Sequence, residues 1–589
     1  MRSWDESVGI AVRGGEAGKQ YVFVSTHLDG HLRPALAVAA ALQRQLRAAR
    51  AGGGVRFAAL RSERCKVEAA GLPFVDLGDL PPGQRARVDC LMAEAVTSAL
   101  APRARRAGPR LPILPPILGA VRSGARMAEA FSLLEAAMLP RLLDSLLEGE
   151  AAGCDVLVAD FVALAAHEAA EKLRLPLALL WQAPLGMCLM NAGQNRYNLR
   201  PGVPVEVAPG VLLQPASLGP LRRLVNEAAQ LLLRVCMDDY AGDREALRAA
   251  HGLPRGVGAG LFGVPARVGR LVNVISCVRE LEVPRPLPPE WHLVGPQGVS
   301  FPAGGEWPPR VGDPAISAFL DVAEADGAAV VYVCAGTVVD PSAEQLRELF
   351  GGMALLPGAR FIWSLKQSCH ALLPPCIEAA QKQGKLLLTP WAPQLAVLCH
   401  PAVRLFVSHG GLNSMHEGLA AGKPLLVTPF FADQPVNAQH VVNGGVGAQL
   451  DPARTTAPEL AAAIARLLSD APTAARAAAL GAALRARSGP DEAADLIRRF
   501  AKDDVTCRRW DPCGAARRCP RRAWLPFRPP PLCCERHALA HAAGNFATKV
   551  ALVLAADALL CALLGAPAAA FWGLFAALVA ACVFVAAAS

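Results

Sequence analysis

Along residues 20–500, apolar runs of strand length alternate with stretches in which apolar residues recur every three to four positions. That alternation predicts parallel strands covered by helices. Two series stand out. The first holds YVFVS at 21–25, an amphipathic stretch at 33–47, VRFAAL at 55–60, CDVLVAD at 154–160, LPLALLW at 175–181 and RLVNVIS at 270–276. The second holds AAVVYVCAG at 328–336, ARFIWSLK at 359–366, KLLLTPW at 385–391, VRLFVSH at 403–409 and PLLVTPF at 424–430. Between them, 284–312 is rich in proline and glycine and reads as a linker. The 105–126 stretch mixes arginine with proline-bounded apolar pieces and reads as an irregular insertion. The expected fold is α/β: two doubly wound, Rossmann-like domains, 21–283 and 313–502, face a cleft at the carboxyl ends of their strands, after an extension over 1–20.

The pattern changes beyond residue 502. A basic, cysteine-rich linker at 503–545 carries eight arginines against four acidic residues up to position 537, and 546–589 is apolar. Within the latter, 568–588 is long enough to span a bilayer, since about 20 helical residues cross the hydrocarbon core. The run at 550–566 is shorter and contains Asp557. A C-terminal transmembrane segment is therefore expected, as one span or a hairpin, with the basic flank on the cytosolic side. Cys507, Cys513 and Cys519 are spaced too widely for a zinc knuckle, and Cys533 and Cys534 suit palmitoylation at least as well.

Composition narrows the class. The chain has 589 residues, 53% hydrophobic and 19% charged, which excludes bulk disorder. Its net charge of +9 is too dilute over that length to argue for nucleic acid. The 17 cysteines follow no repeating framework and read as reduced thiols. The polar start lacks a signal-peptide core, and no asparagine begins an N-x-[ST] sequon, so cytosolic catalytic domains are expected.

Some motifs fail on context. Gly258, Gly260 and Gly263 spell GxGxxG but follow PRGV rather than a strand. No P-loop and no HExxH pair occur in the sequence. The informative stretch is 391–434, WAPQLAVLCHPAVRLFVSHGGLNSMHEGLAAGKPLLVTPFFADQ. Its strand ends in His409, Gly410 and Gly411, and a helix follows from near Leu412 to Gly422. Such a turn aims backbone N–H groups and the positive helix end at an anion, typically a phosphate. Asn413 and Ser414 add donors at the same mouth, Glu417 suits paired sugar hydroxyls, and Trp391 offers a flat face to a base.

This 44-residue stretch resembles the signature of the UDP-dependent family-1 glycosyltransferases, from its opening WxPQ to its closing DQ. Weaker family-like pieces are GHLRP at 30–34, VLVADF at 156–161, LVNVISCVRELE at 271–282, HLVGP at 292–296 and VVYVCAGT at 330–337. The resemblance covers roughly residues 20–500 and implies a GT-B fold, with an acceptor-binding first domain and a UDP-sugar-binding second domain. It implies that Trp391 stacks on uracil with Gln394 beside it, and that Glu417 binds the ribose. His409, Gly411, Asn413, Ser414 and Thr337 are expected at the diphosphate, Asp433 and Gln434 at the hexose. A closing glutamine is associated with glucose in plant members. Leu412 departs from the tryptophan common there, which loosens the assignment of the sugar.

In the first domain, His31 falls where the family keeps its catalytic base and Asp160 where it keeps the partner carboxylate, although nearby His27 competes for the first role. A neutral imidazole can take the acceptor's hydroxyl proton while a carboxylate fixes its tautomer. The resemblance implies inverting transfer of a hexose, glucose by preference, from a UDP-sugar to a small lipophilic hydroxylated acceptor, with neither cofactor nor metal. UDP-galactose or UDP-glucuronate is the rival donor. A membrane-tethered, catalytically weak nucleotide-sugar-binding protein is the alternative outside catalysis.

Overall fold

The computed structural model describes residues 18–100, 114–192, 205–208, 211–213, 244–254, 268–285, 287–299, 307–336 and 340–509. The chain divides into two units, 1–223 with 237–510 and 224–236 with 511–589; all described residues belong to the first. The expected anchor at 546–589, most of the basic linker, the GAGLFG stretch and Thr337 lie outside the described residues. Among the described residues, no helix is long and apolar enough to cross a membrane.

The first series of apolar runs becomes one sheet. Its strands are β1 (Gln20–Val24), β2 (Gly54–Ala59), β3 (Phe74–Asp76), β4 (Val156–Asp160) and β5 (Leu177–Trp181). A small separate hairpin, β6 (Val205–Ala208) with β7 (Val211–Leu213), precedes β8 (Arg270–Ser276) and β9 (Trp291–Val294). The order β3-β2-β1-β4-β5-β8 is parallel throughout, with β9 parallel to β8. Central strands read as unbroken apolar runs because both faces are covered. Tyr21 and Phe23 of β1 pack with Leu32, Val38 and Leu42 of the Asp29–Ala48 helix, while Val22 and Val24 join Leu134, Met138 and Leu142 on the other side.

The second series forms β10 (Ala329–Cys334), β11 (Ala359–Ser364), β12 (Leu386–Thr389), β13 (Val403–Ser408) and β14 (Leu425–Val427), and a strand outside the series, β15 (Gly447–Gln449), adds to them. All pair parallel in the order β12-β11-β10-β13-β14-β15. In each sheet the strand order reverses beside the first strand, between β1 and β4 and between β10 and β13. Helices leave in opposite directions at such a point and open a crevice at the strands' carboxyl ends.

Three stretches depart from the expected boundaries. The 284–312 segment is not linker throughout, since β9 adds to the first sheet and buries Trp291 and Val294. The Gly489–Ala501 helix, expected in the second domain, returns to the first and buries Ala493, Ala494, Ile497 and Phe500 beside the Asp29–Ala48 helix. A short β16 (Arg508–Arg509) then pairs antiparallel with β8. Finally, 114–126 is helical rather than irregular, as the start of the Leu114–Leu147 helix. Pro115 and Pro116 fall in its first turn, where no intrahelical N–H is required, so the prolines that suggested a break are compatible with a start.

Candidate active site

The two switch points supply the site. β1 runs into the Asp29–Ala48 helix, whose first turn carries His31, and β4 ends at Asp160. Because β1 and β4 are register neighbours, these residues, 129 apart in sequence, meet: His31 Nδ1 lies 3.0 Å and 3.1 Å from the two carboxylate oxygens. Asp160 is fully buried and also accepts the Val162 N–H at 2.9 Å, so its orientation is fixed. A carboxylate on Nδ1 leaves Nε2 as the free ring nitrogen. Burial alone would lower the His31 pKa, but the charge and hydrogen bond of Asp160, with Asp433 farther off, raise it above the ordinary value. His27 faces the other way electrostatically: burial, then Arg85, push its pKa down against the pull of Glu63 and Asp89.

In the second domain, β13 delivers His409 into a slot formed by two glycines. A Cβ on Gly336 would stand 2.6 Å from the imidazole, and one on Gly411 would stand 2.5 Å from it; Gly336 is also left-handed at φ 77°. Only glycine combines that backbone with that approach. Burial drives the His409 pKa down to about 4, so the ring stays neutral, and its Nδ1 is buried without a partner. The helix Leu412–Ala420 starts immediately beyond, with Gly411 at its N-cap position, and Gly422 at φ 71° follows its end.

Of the other expected residues, Gln394, Ser414, Glu417 and Asp433 gather around this helix. Trp391 is 69% exposed, a flat face turned to solvent. Gln394 opens the Gln394–Cys399 helix and donates to Glu417 at 2.6 Å and to Ser414 Oγ at 3.2 Å. Glu417 is buried; burial pushes its pKa up, against Arg33 and the Gln394 hydrogen bond. Asp433 accepts from Asn437 Nδ2 at 2.7 Å and from the Leu412 N–H, and its pKa is raised by burial against those bonds. The preceding Ala432 takes a left-handed φ of 53°, a conformation costly for a non-glycine residue and one that accumulates at functional turns. Gln434 Oε1 closes that turn by accepting from the Phe430 and Phe431 N–H groups at 2.8 and 3.2 Å.

Several contacts escaped the sequence reading. Asn413 reaches the first domain, donating from Nδ2 to the Gly30 carbonyl at 2.8 Å, and Arg33 stands 4.0 Å from Glu417. Asn437 joins Asp433 to the Gly410 carbonyl, which it meets at 2.8 Å. Behind Asp160, the Leu164–Leu173 helix is tied down by a buried ionic cluster. Arg244 pairs with Glu135 and Glu168, and Arg248 with Glu168 and Glu171. Burial lifts the Glu168 pKa to about 7 against the pull of Arg244. The i,i+4 spacing of the two arginines was the available signal, but their partners lie 76 or more positions away.

Comparison with known proteins shows similarity to glycosyltransferases. Residues 272–480 match the family model described as UDP-glucoronosyl and UDP-glucosyl transferase. A Zea mays anthocyanidin 3-O-glucosyltransferase is 45% identical over 141 residues, which cover 24% of this chain and 30% of that enzyme. A Talaromyces amestolkiae UDP-glycosyltransferase is 29% identical over 350 residues, 56% of this chain and 61% of the relative. The matches thus span less than two thirds of these relatives' lengths. Among solved structures, the glycotransferase of kitacinnamycin superposes with a TM-score of 0.56 at 23% identity, over 82% of this chain and 99% of the other. Medicago truncatula UGT71G1, complexed with UDP-glucose, gives 0.53 at 17% identity, over 82% and 98%.

The fold is that of the GT-B glycosyltransferases. Over residues 272–480 the sequence is similar to the UDP-glucoronosyl and UDP-glucosyl transferases.

Proposed function

We propose that the protein transfers a hexose, glucose by preference, from a UDP-sugar to a hydroxyl of a small lipophilic acceptor, with inversion at the anomeric carbon. The observation that carries this reading is the hydrogen bond between His31 and the buried Asp160, formed across the mouth of the sheet from residues 129 apart. With Nδ1–H given to the carboxylate, His31 Nε2 holds a lone pair for the acceptor's hydroxyl proton. The acceptor oxygen then attacks the anomeric carbon opposite the departing UDP, and Asp160 stabilises the imidazolium that forms. Negative charge on the leaving diphosphate meets the positive end of the Leu412–Ala420 helix, so no metal is needed in this scheme.

In the donor site, Trp391 stacks on the base, Gln394 lies beside it, and Glu417 accepts from the ribose hydroxyls. Thr337, His409, Asn413, Ser414 and the Gly411 backbone hold the diphosphate. Asp433 and Gln434 contact the hexose; the Gln434 carbonyl is engaged in its own turn, and its amide nitrogen remains for a sugar hydroxyl. The apolar run at 568–588 supports a membrane anchor, and the free thiols, ten among the described residues, support catalytic domains in the reducing cytosol. UDP release by the full chain with UDP-glucose, UDP-galactose and UDP-glucuronate, against phenolic and lipid alcohols, tests the donor assignment. UDP-glucose is expected to give the highest kcat/KM, and a stronger preference for another donor would overturn the choice of glucose.

A further inference from the structure

The first turns of two helices meet across the cleft, and the meeting follows from the sequence GHLRP. Pro34 has no N–H to give to the carbonyl four residues back, so the Gly30 oxygen lacks that helical donor. Asn413 Nδ2 supplies one from the second domain at 2.8 Å. Gly298 leaves room for this amide, since a Cβ there would stand 2.4 Å from Asn413 Oδ1. One turn farther along both helices, Arg33 faces Glu417, Nη2 to Oε1 at 4.0 Å. Gly30 with Asn413 and Arg33 with Glu417 thus form two rungs at matching helical spacing.

The second rung joins unequal partners. Arg33 is 66% exposed on its side chain, whereas Glu417 is 6% exposed and holds Gln394 on its other oxygen. Burying a carboxylate without a counter-charge is costly, and Arg33 is the cation that faces it. Oε1 is the oxygen left open to a ligand hydroxyl.

We propose that Arg33, supplied by the acceptor domain, is a positioning residue of the donor site: it holds Glu417 ionised and aimed for the ribose hydroxyls, so that nucleotide recognition depends on the facing domain. This rests on the reading of Glu417 as the ribose acceptor and adds a residue from the opposite domain to it. Arg33 acts through Glu417, so its effect should require the hydroxyls that Glu417 binds.

The test is calorimetric titration of the full chain and its Arg33→Ala, Arg33→Gln and Arg33→Lys variants with UDP and with 2′,3′-dideoxy-UDP. Arg33 is largely exposed, and unchanged melting temperatures would show that the variants fold. We expect Arg33→Ala and Arg33→Gln to weaken UDP binding roughly 2- to 5-fold, by the scale of partly exposed charge pairs, with Arg33→Lys retaining much of the affinity. The dideoxy analogue, already weaker on the unaltered chain, should bind all four proteins alike. Equal weakening for both ligands would place the action of Arg33 elsewhere and overturn the proposal, as would tighter UDP binding by Arg33→Ala. Failure of the unaltered chain to bind UDP would overturn the ribose assignment itself, and this inference with it.

Discussion

His31 sits between two opposing influences, burial that lowers its pKa and a carboxylate that raises it, and the carboxylate wins. A general base must be unprotonated, so turnover is expected to fall as pH drops through a value above 6.5. In Asp160→Asn only burial remains of the two main influences. The acid limb of kcat/KM should then move to lower pH while kcat falls by about 10²- to 10⁴-fold, the usual range for loss of general-base function. A pH–rate profile from pH 5 to 9 checks both, and an acid limb that stays in place would remove Asp160 from this role. The neutral His409 contrasts with it: with burial dominating and no carboxylate beside it, the ring can only donate or accept a hydrogen bond. These candidate residues were legible in the sequence through resemblance to family motifs at His31, Asp160 and 391–434, and the structure brings His31 onto Asp160. What touches what across the cleft was not legible: nothing in local spacing links Arg33 to Glu417 or Gly30 to Asn413.

At the scale of elements, apolar runs located β1, β2, β4, β5 and β8 of the first sheet and β10 to β14 of the second, because parallel strands buried on both faces leave a continuous hydrophobic trace, while the three-residue β3 and β15 escaped. The reading weakened where one signal had two causes. Proline clusters mark linkers and also helix first turns, so Pro115 and Pro116 concealed a helix start. Likewise, β9 lies in a proline-rich stretch and is only four residues long. The Gly489–Ala501 helix shows its apolar face plainly, but periodicity does not say which domain that face covers. Phe500 is fully buried in the first domain, with the Arg270 guanidinium 4.6 Å from its ring centre. Phe500→Ala is expected to cost about 3–5 kcal/mol, as for other large core truncations, by loosening the return of the chain onto the first sheet. Urea denaturation measures this, and a loss below about 1 kcal/mol would contradict the packing described.

For the whole molecule, two sheets with the same order of strand reversal place the His31–Asp160 pair at one crevice and the start of the Leu412–Ala420 helix at the other. The apolar run at 568–588 should add location without chemistry. The full chain is expected to float with lipid vesicles and resist alkaline extraction, whereas a chain ending at Arg509 should do neither and keep its kcat. Loss of turnover on truncation would contradict that division of labour. For the His31–Asp160 pair, the most direct measurement is acceptor-dependent UDP release from UDP-glucose by the full chain beside His31→Ala, with UDP affinity measured in parallel. With His31 as the base, turnover is expected to fall by at least about 10²-fold in the variant while UDP binding is kept. Unchanged turnover in His31→Ala would contradict that role.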